Sequence, residues 1–318
     1  MSRTGKFGVI IAGIAACYGV NVFAQNSKKD VLKAFFQKGT AKVSGAREIG
    51  KLKDKRISES SGLAYSRVTS GVLWTHNDSG DGPYLFAINL KGETLARYTV
   101  SGASNSDWEA MSIGPGRGGK PAIYIGDVGD NGFSRDDTVI YRIPEPRVNT
   151  AKIKDELDTI IAEKFPYRFP DGSKNCETLM VHPQTGEVFL ITKMPDGVSG
   201  IYAFPMPLRP NERVTLKKLG TVSFPSGFSG RLGEAERLIS DGAFAPDGRR
   251  VILRNYLTAY EWNIAPNQSL QDALKGTRRQ RVLPLLSQGE AISYRPDGKA
   301  VYLTSENKNS PLYEVPLN

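Results

Sequence analysis

The chain has 318 residues, 39% of them hydrophobic, with 42 Lys and Arg against 33 Asp and Glu and a formal net charge of +9. Apolar content of this size suits one large core or two smaller ones. Two histidines and two cysteines argue against a Cys/His zinc site. The basic residues are scattered, with short runs only at Lys51–Arg56 and Arg278–Arg281, which argues against nucleic acid as a partner.

In chain order, Arg3 and Lys6 precede an apolar stretch from Phe7 to Cys17. Val22-Phe23-Ala24 then offers small residues where a signal peptidase reads. Residues 1–24 are therefore expected to be a secretory signal, too short for a comfortable membrane span. The mature protein, starting at Gln25, is expected to be secreted or periplasmic and to lack a transmembrane helix. Ile14-Ala15-Ala16-Cys17 supports an alternative, a lipoprotein anchored through Cys17. Residues 25–46 are polar and read as a leader or tether, with a short helix at Asp30 to Lys38. After cleavage Cys176 stands alone, without a disulfide partner, and reads as a small core residue. Removing Arg3 and Lys6 leaves a net charge of about +7, a mild basicity suited to weak adhesion at anionic envelope surfaces.

From residue 47 onward the chain repeats. The phrase apolar-aromatic-variable-apolar occurs five times: Leu85-Phe86-Ala87-Ile88, Ile140-Tyr141-Arg142-Ile143, Ile201-Tyr202-Ala203-Phe204, Ala259-Tyr260-Glu261-Trp262 and Leu312-Tyr313-Glu314-Val315. A β-branched and aromatic run precedes each copy, as in Val72-Leu73-Trp74-Thr75 and Val301-Tyr302-Leu303-Thr304. Turns such as Pro246-Asp247-Gly248 and Pro296-Asp297-Gly298 stand before most of these runs, and a shorter strand before each turn. These three strands, A, B and C, recur with A opening at Ser61, Glu109, Glu177, Ser240 and Glu290. That spacing matches propeller blades of roughly 40–50 residues, with two longer gaps that hold insertions at 144–172 and 205–236. The fourth A strand is the weakest copy, with Gly242 where its counterparts have Leu, Met or Ile.

Arg97–Val100, Lys217–Val222 and Arg281–Leu285 are candidates for an outer strand D. The last blade has none after it, and Arg47–Leu52 precedes the first A strand. The expected fold is therefore all-β, a five-bladed β-propeller over 47–318 closed by the N-terminal strand, with six blades as the alternative count. A monomer is expected.

In a propeller, A-strand starts and B-to-C loops converge on one face. Glu109, Glu177 and Glu290 then ring the channel mouth. Asp78 and Asp81, Asp127 and Asp130, and Glu306 reach it from loops. Oxygen donors of this kind suit Ca²⁺. The competing reading has each Glu accepting a backbone N–H from the neighbouring blade. The Asp-Asn-Gly loops are equally good turn formers. Asn77, Lys193, Arg254 and Asn255 are candidate ligand-binding groups, with Trp108 either stacking on a sugar or packing between blades. His76, Glu109 and Glu290 are candidate catalytic groups, His76 as general base. The set suits a small polar or anionic ligand.

Asp107-Trp108-Glu109, Gly126-Asp127-Val128-Gly129-Asp130-Asn131 and Asn77-Asp78-Ser79-Gly80-Asp81 resemble phrases of secreted bacterial β-propeller proteins, mostly of unassigned activity. Gly289-Glu290-Ala291-Ile292, with Pro296-Asp297-Gly298 and Ser305-Glu306, is similar to phytase-like and esterase-like-phytase propellers. The resemblance implies a calcium-supported channel site that hydrolyses phosphate or other esters, with the acidic role falling to Glu109, Asp127, Asp130, Glu177, Glu290 and Glu306. Two functions follow as expectations. One is a metal-dependent hydrolase, phytase-like or lactonase-like. The other is a non-catalytic propeller that binds a sugar, a peptide or an envelope protein on the same face.

Overall fold

The computed structural model describes residues 45–151, 157–224 and 226–317. The expected signal, the lipobox Cys17 and nearly all of the leader lie outside the described residues. Strand β1 (Arg47–Lys51) comes first, followed by the blade-one strands β2 (Ser60–Tyr65), β3 (Val72–Asn77), β4 (Tyr84–Asn89) and β5 (Thr94–Ser101). Blade two has β6 (Trp108–Pro115), β7 (Pro121–Asp127) and β8 (Val139–Pro144). After β9 (Leu157–Ile161), which pairs in parallel outside β5, blade two resumes with β10 (Glu163–Arg168). Blade three holds β11 (Cys176–Val181), β12 (Val188–Thr192) and β13 (Val198–Ala203). The two-residue β14 (Val214–Thr215) then extends blade two, and β15 (Lys217–Ser223) finishes blade three. Helix α1 (Gly230–Arg237) leads into blade four: β16 (Ile239–Phe244), β17 (Arg250–Asn255), β18 (Thr258–Asn263), the short helix α2 (Leu270–Ala273) and β19 (Arg278–Val282). Blade five is β20 (Ala291–Tyr294), β21 (Ala300–Thr304) and β22 (Pro311–Pro316).

Five sheets result, and the ring is closed by β1, which pairs antiparallel with β22 from Arg47↔Glu314 to Lys51↔Pro311. An N-terminal strand thus supplies the outer edge of the last blade and leaves that sheet no open C strand. The innermost strands meet in sequence: β2 with β6, β6 with β11, β11 with β16, β16 with β20, and β20 again with β2. Two insertions add the outer strands β9 and β14. The first insertion also supplies β10, the D strand of blade two, a segment that sequence pattern alone does not mark as a strand.

The core is a set of apolar slabs between neighbouring sheets. Trp74 and Ile125 belong to the slab between blades one and two, Phe165 and Leu190 to that between two and three, and Ile191 and Trp262 to that between three and four. Ile252 and Val301 share the next slab, and Phe86 and Tyr302 the one that closes the circuit. Each such side chain contributes about 1.5–3 kcal/mol by leaving water. Gly242 has its own reason: a Cβ there would press on Leu253 and on Thr178 of the neighbouring blade. The weakest copy of the repeat is thus one where the neighbouring inner strand leaves no room for a side chain.

Candidate functional site

Each of the first four inner strands begins with a register shift against its B strand. The displaced residues are Ser61, Glu109, Glu177 and Ser240. A bulge of this kind re-aims one side chain out of the ladder. Glu290 immediately precedes β20 in the fifth blade. Five equivalent positions therefore face the mouth, three of them glutamates.

Two groups of carboxylates form there. Asp78, Asp107 and Glu109 bring ligand atoms within 4.8 Å of one another, and so do Glu109, Glu290 and Glu306. Glu109 belongs to both. Ser61 Oγ donates to Glu109 Oε2 at 3.0 Å, which fixes its rotamer. Glu177 completes the wall beside Lys193. Lys193 Nζ lies 3.1 Å from Glu177 Oε1 and 3.6 Å from Glu290 Oε1, and donates to Tyr256 Oη at 2.8 Å. Tyr256 in turn donates to Glu290 Oε1 at 2.7 Å. Glu177 Oε2 is buried and has no hydrogen-bond partner among the described residues.

The charge balance is lopsided. Two like charges about 4 Å apart repel by about 4 kcal/mol at an effective dielectric of 20. Burial, reinforced by the neighbouring carboxylates, pushes Glu109, Glu306 and Asp78 well above the usual carboxylate range. Burial also raises Asp107, and raises Glu177 to about 7 against the pull of Lys193. Glu290 goes the other way. Burial would raise it, but a hydrogen bond from Glu306, the Lys193 charge, the Tyr256 hydroxyl and the Arg254 charge outweigh that and hold it low. Burial opposes the charge of Lys193, yet Glu177, Tyr256 and Glu290 keep the ammonium protonated well beyond its ordinary range. The mouth must take up protons or a cation to relieve its repulsion. Its all-oxygen donors, with Glu177 Oε2 unpartnered beside them, fit a hard divalent ion such as Ca²⁺.

Other residues singled out in the sequence stand outside these groups and hold loops. Asn77 Oδ1 accepts from Ser58 N and Glu59 N at 3.0 and 3.1 Å, while its amide donates to Arg56 O and Asp81 Oδ2 at 2.6 Å. Asp127, at the same point of blade two, accepts from Ser106 N and Asp107 N and pairs with Arg135 at 2.7 Å. Asn255, at the same point of blade four, accepts from Leu257 N and Thr258 N and donates to Glu236 O. The last residue of strand B thus ties down the incoming loop in three blades. Asp130 accepts from Ser134 N and Arg135 N in its own turn. Arg254 is fully buried, donating to Asn255 O and Ala291 O, with burial lowering its pKa to about 10 against the pull of Asp241. Asp241 accepts Gly242 N and Ile292 N, so the blade-to-blade backbone bond expected of the glutamates is made by an aspartate.

Of the two readings of Trp108, packing between blades is the one found, and His76 is interior with it. Trp108 is buried, donates Nε1–H to Ser104 O at 2.7 Å, and packs edge-on with His76 at 5.4 Å between centroids. His76 is fully buried with Nδ1 3.0 Å from Asn77 O, and burial pushes its pKa down to about 4. It is a neutral packing histidine without access to solvent, so proton transfer at the mouth falls to carboxylates. Asp107 and Tyr256 are site residues that sequence reasoning does not select. Tyr256 follows Arg254-Asn255 in a B-to-C loop, the position that supplies Asp78, Lys193 and Glu306 elsewhere, and that equivalence was the available signal.

A groove of about 400 Å³, lined by Ser58, Glu59, Gln288, Glu306, Asn307 and Lys308, adjoins the mouth at Glu306. Gln288 Nε2 donates to Glu306 Oε2 at 2.6 Å on its floor. Among the described residues, no helix is long and apolar enough to cross a membrane.

No protein-family model and no curated protein matches this sequence. Among solved structures, the chain is similar to one in a nidogen/laminin complex, with a TM-score of 0.39 and 16% identity over 78% of this chain and 73% of that one. It is also similar to a protein provisionally described as a 6-phosphogluconolactonase from Bacteroides uniformis. There the TM-score is 0.36 and the identity 13%, over 81% and 67% of the two chains. The five-bladed ring rests on this chain's own strand pairing.

Proposed function

We propose that this protein is an exported propeller whose acidic mouth binds Ca²⁺ and hydrolyses a phosphate or other ester presented at the groove beside Glu306. The observation that supports it is the sharing of Glu109 between two three-carboxylate groups, with Glu177 Oε2 buried and unpartnered beside them. Asp78, Glu109 and Glu290 would hold the cation, which supplies Lewis-acid polarisation and charge neutralisation when bound. The residues divide the remaining work. Lys193 offers its ammonium to an anionic oxygen. Asp107, half-buried and hydrogen-bonded to Asp78, accepts a proton from the attacking water. Glu306, held protonated on the wall of the groove, delivers a proton to the leaving alcohol. The reading of a sugar-binding face loses its aromatic platform, because Trp108 is buried.

A melting scan with and without chelator tests the cation. A ligand at 100 times its Kd stabilises by about 2.7 kcal/mol, or roughly 5 °C for a domain of this size. Glu109→Gln should remove that rise. No rise at millimolar Ca²⁺ would end the calcium reading. Release of nitrophenol from its acetate and phosphate esters, with Ca²⁺ and with chelator, tests the chemistry. Export is tested by the N-terminus of the native protein, where Gln25 supports secretion, a lipidated Cys17 supports the anchored form, and an intact Met1 refutes both.

A further inference from the structure

The opposite end of the channel holds a larger space, about 660 Å³, between the lower halves of the five inner strands. Its walls include Met111 and Ile113 of blade two, Val181 of blade three, Phe244 of blade four and Ile292 of blade five. Ligand sites are commonly concave spaces of about 300–1,000 Å³, mostly apolar, with a few polar groups that fix orientation. Here most polar groups are already committed. Ser112 Oγ accepts Val181 N at 3.1 Å, and Ser293 Oγ accepts Tyr65 N at 2.9 Å. Both bonds tie one blade to another and leave those hydroxyls little capacity for a ligand.

Arg67 is different. It lines this space from the β2–β3 turn of blade one and reaches toward the β11–β12 turn of blade three, where its guanidinium donates to Pro183 O at 3.4 Å. That is its sole side-chain hydrogen bond among the described residues, out of five N–H donors. The nearby carboxylate, Glu145, is occupied otherwise: it accepts Arg67 N at 3.1 and 3.2 Å and Trp74 Nε1 at 3.0 Å. Arg67 stands exposed at the rim, and Glu145 acts on its guanidinium electrostatically without a side-chain hydrogen bond to it. Among the described residues, no other Lys, Arg, Asp, Glu or His lines the space.

We propose that this end of the channel is a second, independent binding site for a small amphipathic anion, an apolar chain or ring carrying one carboxylate, with the apolar part against Met111, Ile113, Val181 and Ile292 and the carboxylate on Arg67. A planar fork with free N–H groups pairs bidentately with a carboxylate. The apolar wall rewards a chain of eight to ten carbons, at about 0.8 kcal/mol per buried methylene.

Decanoate below its micelle concentration is the probe, titrated calorimetrically into the full chain in chelator, with decyltrimethylammonium as the matched cation. Saturable 1:1 binding of decanoate is expected, with the cation at least tenfold weaker. Arg67→Gln, at an exposed rim position, should weaken decanoate about tenfold or more and leave the melting temperature near that of the parent. Ala243→Phe should block binding by filling the space from its rim. Adding Ca²⁺ should leave decanoate affinity unchanged, so this result stands or falls separately from the acidic mouth. The proposal is overturned by an absence of saturable binding, by equal affinity for the two detergents, or by affinity that survives both substitutions.

Discussion

The two ends of the central channel are made from the same five inner strands, yet one end is crowded with acid and the other is an open space with one charged residue, Arg67, in its described lining. The difference arises in the loops and the strand starts. At the acidic end, bulges turn Glu109 and Glu177 inward, and B-to-C loops add Asp78, Lys193, Tyr256 and Glu306. At the apolar end, regular strand halves present Met111, Ile113, Val181 and Ile292, and tight turns contribute Pro246 and Pro296. A propeller repeats backbone, so its chemistry is assigned by which end of a strand a residue occupies.

The comparison breaks altogether if the ring opens, which is the largest effect expected. Removing residues 1–57 takes away β1 and the fully buried Leu52 and Ile57. The C strand β22 then becomes an open edge. This truncation should lose cooperative unfolding and both ligand responses, whereas removing residues 1–40 should keep all three. A soluble, equally stable 58–318 protein would show that β1 is not the strand that closes the ring.

Lys193→Met strikes the acidic end alone. Glu177 and Glu290 would lose the ammonium they face at 3.1 and 3.6 Å. Removing one member of a buried ion pair costs about 3–5 kcal/mol, or roughly 10 °C. Ca²⁺ should recover part of that loss by supplying positive charge, while decanoate affinity stays as in the parent. Loss of both responses would mean that the two ends are coupled.

The pH dependence sharpens the contrast further. Glu177 titrates at about 7 when folded and near 4.5 when unfolded, so the folded state holds its proton longer. Without Ca²⁺ its contribution is fully present below about 4.5 and is lost as pH rises toward 7. Glu109, Glu306 and Asp78 act in the same sense. His76 opposes them: with its folded value near 4, it favours folding above 6.5 and loses that as pH falls. Calorimetry with and without Ca²⁺ separates the two, since His76 contributes equally to both scans. The calcium-induced rise in Tm should grow from pH 5 to pH 7. A rise that is flat across that range would remove the carboxylates from the explanation.

Blade number, strand order and ring closure were legible because they depend on side-chain pattern and turn chemistry, which repeat locally. β10 was not, because Glu163-Lys164-Phe165-Pro166 lies inside an insertion and carries a proline that reads as a break. It pairs with β8 only because the ring leaves that edge vacant. At the site, Glu109, Glu177, Glu290, Glu306, Asp78 and Lys193 could be placed at one mouth from their positions in the repeat. Which aspartates would stay free could not. Asp127 and Asp130 look like Asp78 in sequence, but they meet Arg135 and the backbone of neighbouring turns. His76 looked like surface chemistry and Trp108 was open between stacking and packing, and their burial against each other depends on how blades one and two approach. Asp107 joins Asp78 across two loops, a contact that no local pattern encodes.

The smallest effect expected is at the apolar end. Ser293→Ala removes the hydroxyl that accepts Tyr65 N at 2.9 Å and ties blade five to blade one. A buried N–H left unpaired costs about 1–3 kcal/mol. Here the N–H borders a space large enough for water, and a water that takes the place of the hydroxyl restores most of the bond. The cost should therefore fall near the low end, about 1 kcal/mol, or roughly 2 °C in Tm. Ser112→Ala, which frees Val181 N, should behave alike, and the double variant should be close to additive because the two bonds share no partner. Both variants should keep the full calcium-induced rise, since neither serine contacts a carboxylate of the mouth. If either one halved that rise, the two ends would be reading each other through the inner strands, and their apparent independence would be a property of the static structure alone.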